Sequence, residues 1–148
     1  MSTATAEGIL QAVKARLEDQ ITGIHVSDQI DIIAADPRSL ADQGSAILRT
    51  GDEVNEDYPT RLAGKVRVTD EIEIQTAWKV DPRDQLTSRD QLLARGRAIR
   101  IALTGSWGDL ENRRILYRGS EGPARLPGSA EWLLLVQRFT FSRFAELG

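Results

Sequence analysis

The sequence predicts a single α+β domain, with an antiparallel or mixed sheet of about four strands and two main helices packed on one face. Three features predict it. Apolar residues recur at helical spacing over residues 5–22. Apolar and polar residues then alternate with a period of two over residues 65–80. A second helical segment and further strand-like runs follow, an order typical of helices packed on an antiparallel sheet.

Composition narrows the possible classes of protein. The chain has 148 residues, 41% hydrophobic and 28% charged, as in a folded globular domain. No run approaches the ~20 apolar residues of a membrane span, and residues 1–4 do not resemble a signal peptide, so we expect no membrane partner. The sequence has no cysteine, which excludes disulfides and thiolate metal sites and fits folding in a reducing cytoplasm. The net charge of −3 argues against a dedicated DNA-binding protein.

The first helix is predicted over about residues 5–22. Its apolar stripe recurs at steps of three and four residues and comprises Leu10, Val13, Leu17, Ile21 and Ile24. Glu7 lies in the first turn, where a negative charge is favourable. Gly23 is placed to end the helix.

The segment 24–45 is harder to interpret. Its alternating apolar residues allow a strand, which Asp28 interrupts: Ile24, Val26, Ile30 and Ile32. Asp36 and Pro37 resemble a helix N-cap followed by proline at the first helical position, which favours a short helical turn over 37–43 that stops at Gly44.

Two strands are predicted next. The first covers residues 45–50 and is closed by Gly51 and Asp52. The second covers 65–80, with apolar residues at even positions and polar residues at odd ones. Its 16 residues exceed the usual length of a strand. Either Thr69 and Asp70 form a bulge or turn, or the strand projects beyond the body of the domain.

The second half begins with a turn at residues 81–84. Ser88 and Gln91 then form a capping box for a helix that ends near Gly105. Its apolar stripe contains Leu92, Ile99 and Leu103, and Gly96 would let the helix lie close to the sheet. We expect a strand at 114–118, a long mobile connection at 119–131 and a final strand at 132–144. The first half of that final strand, residues 132–136, is apolar on both faces.

Residues able to support catalysis or metal binding are scarce. The only histidine is His25, and without cysteine a zinc site would need carboxylates or waters as its other ligands. Glu71 and Glu73 share one strand face about 6.6 Å apart, which could serve acid–base chemistry, but basic neighbours favour a solvated polar face. The sequence contains no glycine-rich phosphate loop and no nucleophile elbow. We therefore expect no enzymatic activity, no cofactor and no metal site.

Tryptophan and charge patterns suggest contacts between subunits. Trp78 and Trp132 lie on strand patterns and are expected in the core. Trp107 lies between two glycines and is either an interface anchor or buried under its own loop. Acidic and basic residues concentrate on separate segments: Asp52, Glu53, Glu56 and Asp57 in one, and Arg89, Arg97 and Arg100 in the other. We expect both groups at subunit interfaces or a lumen; the alternative, of even weight, is plain solvated surface.

The order of these segments resembles that of a known family. In the first half the resemblance rests on a helix at 8–17 (GILQAVKARL), a strand at 46–51 (AILRTG), an acidic loop at 52–59 (DEVNEDYP) and the long alternating strand. In the second half it rests on a helix at 90–99 (DQLLARGRAI) and two closing strands that end in an aromatic-rich run. This order is similar to that of the tail terminator proteins of long-tailed bacteriophages, and of related minor tail and tail-completion proteins. It spans almost the whole chain but contains no diagnostic motif, and the segment 24–45 is longer than the family pattern needs.

The resemblance implies a structural virion protein of the tail and neck, assembled in the host cytoplasm. Such a protein forms a six-membered ring on the end of the tail tube, stops its polymerisation and offers a docking surface to the head connector. Its partners would be copies of itself, the tail tube protein and a head-completion or connector protein. DNA would pass through the lumen without specific binding. The alternatives are another neck component, such as a head-completion protein, or a small α+β ligand-binding domain.

Overall fold

A computed structural model describes residues 6–27, 43–55, 65–104, 115–126 and 131–146. This part of the chain forms two helices and five strands. In chain order they are α1 (Ala6–Gln20), β1 (His25–Val26), β2 (Gln43–Asn55), β3 (Lys65–Lys79), α2 (Gln85–Thr104), β4 (Ile115–Arg125) and β5 (Trp132–Glu146).

The strands form one open sheet in the order β1-β2-β3-β5-β4. The short β1 pairs with β2 in parallel, and the other three pairings are antiparallel. The predicted α+β class is therefore confirmed. The sheet has one strand more than the four expected, the two-residue β1. Within the described residues no helix is long and apolar enough to cross a membrane.

The strand β3 lies at the centre of the sheet and is paired along both sides. Its register with β5 is unbroken from Lys65, opposite Glu146, to Lys79, opposite Trp132. The long strand thus neither bulges at Thr69 and Asp70 nor projects unpaired, which corrects the sequence prediction. The irregularity lies instead in the partner strand β2, between Thr50 and Glu53.

The main core lies between the sheet and the helices. Ile72 of β3 and Phe139 of β5 are opposite each other in the register and fully buried. They pack in one cluster with residues from both helices, among them Val13 and Leu17 of α1 and Ile99 of α2. Periodicity predicted these faces correctly, because a helical stripe and an alternating strand each have one side to bury.

The first helix agrees with its prediction. Ile9, Val13, Leu17 and Ile21 are buried along one stripe. Gly23 follows with a φ of 81°, a left-handed conformation that glycine adopts without steric cost. The side chain of Arg16 ties α1 to α2, since its Nε donates to the backbone oxygen of Ala102 at 3.0 Å.

The strand β2 is longer than predicted. It begins at Gln43 and continues through Gly51 and Asp52 to Asn55, so these two residues do not close it and Gly44 does not stop a helix. The register shift after Thr50 accommodates the polar stretch without ending the pairing with β3. Apart from Gln43, the helical turn predicted at 37–43 lies outside the described residues.

The helix α2 begins one turn earlier than predicted, because Asp84 rather than Ser88 caps it. Asp84 Oδ1 accepts from the backbone N–H of Thr87 at 3.1 Å, and Oδ2 accepts from the Thr87 hydroxyl at 2.6 Å. These hydrogen bonds hold the pKa of the Asp84 carboxyl below its ordinary value. Ser88 is buried and its Oγ accepts from Asp81 N, while Gln91 Oε1 accepts from Trp78 Nε1 at 3.3 Å.

The segment predicted as a mobile connection contains most of a strand. β4 continues from Ile115 to Arg125, paired with β5, and only residues 127–130 of the predicted connection lie outside the described chain. The loop signals Gly119 and Gly122 have positive φ angles of 124° and 95° beside two register shifts. Bulges therefore absorb the glycines while pairing continues on either side.

Candidate subunit-contact surface between α2 and β4

The arginines singled out from the sequence lie along a groove between α2 and the edge strand β4. β4 pairs only with β5, so its outer side forms one end of the sheet. The central part of the groove encloses about 280 Å³. Its lining comes from α2 (Leu93, Gly96, Arg97, Arg100), β4 (Tyr117, Ser120) and β5 (Leu135, Gln137).

The floor of this groove exists because residue 96 has no side chain. A Cβ built on Gly96 would lie 2.5 Å from Leu135 Cδ2 and 3.4 Å from Gln137 Nε2. The absence of that atom lets α2 approach β5 closely, as the sequence predicted. Gln137 Nε2 donates to the backbone oxygen of Gly96 at 2.8 Å and so joins helix to sheet. Gln137 Oε1 is left buried without a hydrogen-bond partner in the described structure.

Two arginines on one side of the groove have no carboxylate partner among the residues that the structure describes. Arg100 places its guanidinium over the ring of Tyr117, 5.5 Å from the ring centre. Tyr117 is itself held by Phe139, with ring centres 5.3 Å apart. Arg97 is exposed on the next turn towards the N-terminus. Within the described chain neither arginine forms an ion pair, and a guanidinium fork is suited to bidentate binding of a carboxylate.

A second depression between α2 and β4, of about 190 Å³, lies towards the start of α2. Arg89 and Arg125 lie at this depression, together with apolar side chains that include Leu86 and Leu133. Arg125 Nη2 donates to Gln85 Oε1 at 2.9 Å, and Arg89 pairs with its neighbour Asp90 at 3.3 Å. The three predicted arginines of α2 thus share one surface, and among the described residues only Arg89 of these three has an acidic partner.

Exposed leucines accompany these arginines. Leu86 is 65% exposed and Leu93 is 40% exposed. Their seven-residue spacing puts them on one line along α2, and Arg97 follows four residues later on the same side. Large apolar side chains next to arginines are characteristic of protein–protein contacts, where arginine is enriched and lysine is depleted. We name the surface formed by Leu86, Arg89, Leu93, Arg97 and Arg100 the α2 ridge.

The edge of β4 itself is poorly suited to pairing with another strand. Two register shifts interrupt it, between Tyr117 and Gly119 and between Glu121 and Ala124. Pro123 has no N–H to donate. Bulges and proline are common ways of blocking strand addition at a sheet edge. A partner at this edge therefore contacts side chains of the α2 ridge and β4 more readily than it extends the sheet.

The acidic group predicted from the sequence lies elsewhere. The backbone of Asp52 and Glu53 belongs to β2, beyond its register shift, while Glu56 and Asp57 are outside the described residues. Trp107 is also outside them. Because β3 and β5 lie between β2 and β4, three strand spacings, roughly 14 Å, separate the two strands. The described part of the acidic group, the backbone of Asp52 and Glu53, therefore lies apart from the arginines of α2 within one copy.

A row of alternating charges crosses the sheet face opposite the helices. Arg49 Nη1 lies 3.7 Å from Glu73 Oε2, and Glu73 Oε1 lies 3.3 Å from Arg138 Nη2. Arg138 Nη1 in turn lies 2.8 Å from Glu121 Oε1, and this hydrogen bond holds the pKa of Arg138 above its ordinary value. Glu73 thus binds two arginines across the strands. Sequence reasoning missed the row, because it appears only once the register is known.

Another arginine, Arg95, lies on the side of α2 opposite Arg97 and Arg100. The guanidinium of Arg95 stacks over Trp78, 5.6 Å from the ring centre, and burial lowers its pKa. Its Nη1 is buried without a hydrogen-bond partner in the described structure. Trp78 and Trp132 are 5% and 6% exposed, which confirms the prediction that both belong to the core.

Groups suited to catalysis are not assembled in the described part of the chain. His25 is exposed in β1. Three potential metal ligands do not come together anywhere among the described side chains.

In comparisons with known proteins, no family model matches the sequence and no curated protein matches it.

Proposed function

We propose that the protein is a structural subunit that assembles with copies of itself into a ring, as the tail terminator of a long-tailed bacteriophage does. The observation that carries the proposal is the arginine-lined groove between α2 and β4. Among the described residues, arginines line both of its depressions and no acidic residue lines either.

The charge of this surface favours one kind of assembly. In a twofold dimer whose axis passes through this groove, the groove faces itself, so the arginines of one copy would oppose those of the other. Like charges in an interface are unfavourable by several kcal/mol. A contact through this groove must therefore use a different surface of the next copy. Head-to-tail contacts of this type form closed rings when the rotation between copies closes.

The assignment to the tail rests on the order of elements along the sequence. A helix, a strand with an acidic extension, a long central strand, a second helix and two closing strands follow each other as in tail terminators. The ring would sit at the head-proximal end of the tail tube, stop its polymerisation and present a surface to the head connector. Its partners would be the tail tube protein and a head-completion protein, and DNA would pass through its lumen without sequence-specific contacts.

Tube growth in the presence of the protein tests this function. Tail tube protein of the same phage is allowed to polymerise with and without the chain, and tube length is measured by electron microscopy. A terminator shortens the tubes and adds a ring at one end. Tubes of unchanged length without a terminal ring would reject this role. If the tubes keep their length and the protein binds a head-completion protein but not the tubes, it is instead another component of the neck.

A further inference from the structure

We propose that the groove between α2 and β4 is the docking site for residues 52–57 of the next copy, whose carboxylates pair with Arg97 and Arg100. The inference rests on the proposed self-assembly and names the two surfaces that meet. It also makes a claim about binding that can be tested without a ring.

The receiving side has two cations arranged to take carboxylates. Arg97 and Arg100 lie three residues apart on the exposed side of α2, so they are neighbours on the helix surface. Stacking on Tyr117 positions the guanidinium of Arg100 and leaves its N–H groups, which lie in the plane of the fork, open to an acceptor. Arginine forks bind carboxylates in a bidentate manner, which gives geometric specificity as well as attraction.

The approaching side is the most acidic segment of the sequence. Residues 52–57 read DEVNED and contain four carboxylates in six positions. Acidic groups in the described regions are largely engaged: Glu73 and Glu121 bind Arg138, Asp90 pairs with Arg89, and Asp84 caps α2. The segment also contains Val54, an apolar side chain that suits the partly exposed Leu93 at the groove.

Within one copy, the strand that leads into this segment lies apart from the groove. The segment 52–57 continues from the end of β2 that pairs with residues 68–70 of β3. The groove lies beyond β5, at the β4 end of the sheet, roughly 14 Å away by strand spacing. Each copy therefore carries the basic groove at one side of its sheet and the strand that leads into the acidic segment towards the other side. Repeated from copy to copy in one direction, a contact between these two sides is head-to-tail, as in a ring.

Peptide binding tests the docking site directly. A fluorescent peptide of residues 50–59 is titrated with the full-length protein, and its anisotropy gives the Kd. The control peptide has the changes Asp52→Asn, Glu53→Gln, Glu56→Gln and Asp57→Asn. We expect the acidic peptide to bind at least about tenfold more tightly than the control in low salt, and the difference to shrink at high salt. Equal affinity of the two peptides would overturn the proposal.

Charge-reversal variants identify the surface that binds the peptide. Arg97→Glu/Arg100→Glu should abolish the preference for the acidic peptide. Lys14→Glu/Arg83→Glu, with the same change in net charge on exposed side chains outside the groove, should retain it. A peptide carrying lysine at 52, 53, 56 and 57 should in turn bind the Arg97→Glu/Arg100→Glu variant. If both variants lose the acidic peptide equally, attraction is nonspecific and the docking site is rejected.

The two proposals fail in different ways. Rings that form in the wild type and equally in Arg97→Glu/Arg100→Glu would reject this docking site and leave the ring function standing. A wild type that binds the acidic peptide through the groove but never forms rings or terminates tubes would reject the proposed function and leave the docking site standing.

Discussion

Gly96 controls how closely α2 approaches the sheet. Replacing it with alanine would place a Cβ 2.5 Å from Leu135 Cδ2, in a cluster that also contains Trp78 and Leu92. Overpacking of this kind costs about 1–3 kcal/mol, whereas alanine gains about 1 kcal/mol in helix propensity over glycine.

We therefore expect Gly96→Ala to lower the free energy of unfolding by up to about 2 kcal/mol in urea denaturation, the difference between these two effects. Ala94→Gly, at an exposed site of the same helix, measures the propensity term alone. A Gly96→Ala protein more stable than the wild type would show that Leu135 moves aside at little cost.

Phe139 and Trp132 test the packing on the two faces of the sheet. Phe139 is fully buried on the helix side, and Trp132 packs with Ile47 and Ala77 on the other face. Truncation of a large buried aromatic side chain costs about 3–5 kcal/mol. We expect Phe139→Ala and Trp132→Ala each to destabilise the protein by about this amount in chemical denaturation.

Ile101→Ala is the matched control for these two truncations, because Ile101 is 64% exposed. Its effect should remain within about 0.5 kcal/mol. A loss of under about 1 kcal/mol for either aromatic variant would contradict the burial of that side chain.

At the scale of the elements, the cap of α2 is sensitive to pH. The Asp84 carboxyl has a folded-state pKa below its ordinary value of 3.8, because its charged form accepts two hydrogen bonds from Thr87. The resulting stabilisation is fully present above pH 3.8 and is lost as the pH falls through the lowered value.

Asp84→Ala should therefore unfold at a lower denaturant concentration than the wild type at pH 7, and the difference should narrow in strong acid. Asp84→Asn keeps an acceptor for the helix N-terminus and should lose less stability. Urea denaturation from pH 7 to pH 2 measures both. A gap between Asp84→Ala and the wild type that stays constant over this range would exclude an ionised cap.

The charge row on the sheet face opposite the helices joins four strands through unequal contacts. The side chain of Glu73 is 15% exposed and touches two arginines, whereas that of Glu121 is 70% exposed and touches one. We expect Glu73→Gln to cost about 1 kcal/mol and Glu121→Gln less than about 0.5 kcal/mol.

Denaturation in low and high salt compares these two variants, and screening should reduce both losses. If Glu73→Gln and Glu121→Gln lower the free energy of unfolding by the same amount, Glu73 does not link the charge row.

The elements differ in how well the sequence predicted them, and the difference has a physical origin. The helix α1 and the strand β3 each repeat their apolar residues with one period, so their type and buried face could be read directly. β4 could not be, because Gly119, Gly122 and Pro123 are turn formers in isolation, and here bulges accommodate them while pairing with β5 continues on either side. The start of α2 was misplaced because Asp84 and Ser88 are both competent caps.

The candidate site could also be predicted only in part, because a sequence pattern shows local features but not contacts between distant segments. Arg97 and Arg100 could be recognised as an exposed basic group on a helix. The groove itself could not, because Tyr117, Ser120 and Gln137 reach it from strands distant in the sequence.

Burial of Gln75 and Ala77 at odd positions of β3 was also unexpected, since alternation predicts one polar face. In the second apolar cluster, Ile47 and Trp132 pack with Ala77 on that face.

At the scale of the whole molecule, the two sides of the sheet carry complementary features. The groove between α2 and β4 lies at one side, and the acidic segment that begins in β2 lies towards the other. β5 pairs with β3 over its whole length and β2 pairs with it from residue 68 to residue 78, so the long strand does not project unpaired from the sheet. Assembly would instead depend on side-chain contacts, which are individually weak in solvent and gain strength when several act together.

Light scattering over a concentration series in low salt tests head-to-tail assembly most directly. We predict a single closed species above the monomer, of six copies by the resemblance to tail terminators, that dissociates as salt is raised. Rings should be visible by electron microscopy at the same concentrations. A strict monomer up to millimolar concentration, or a dimer with twofold symmetry that salt does not weaken, would contradict it.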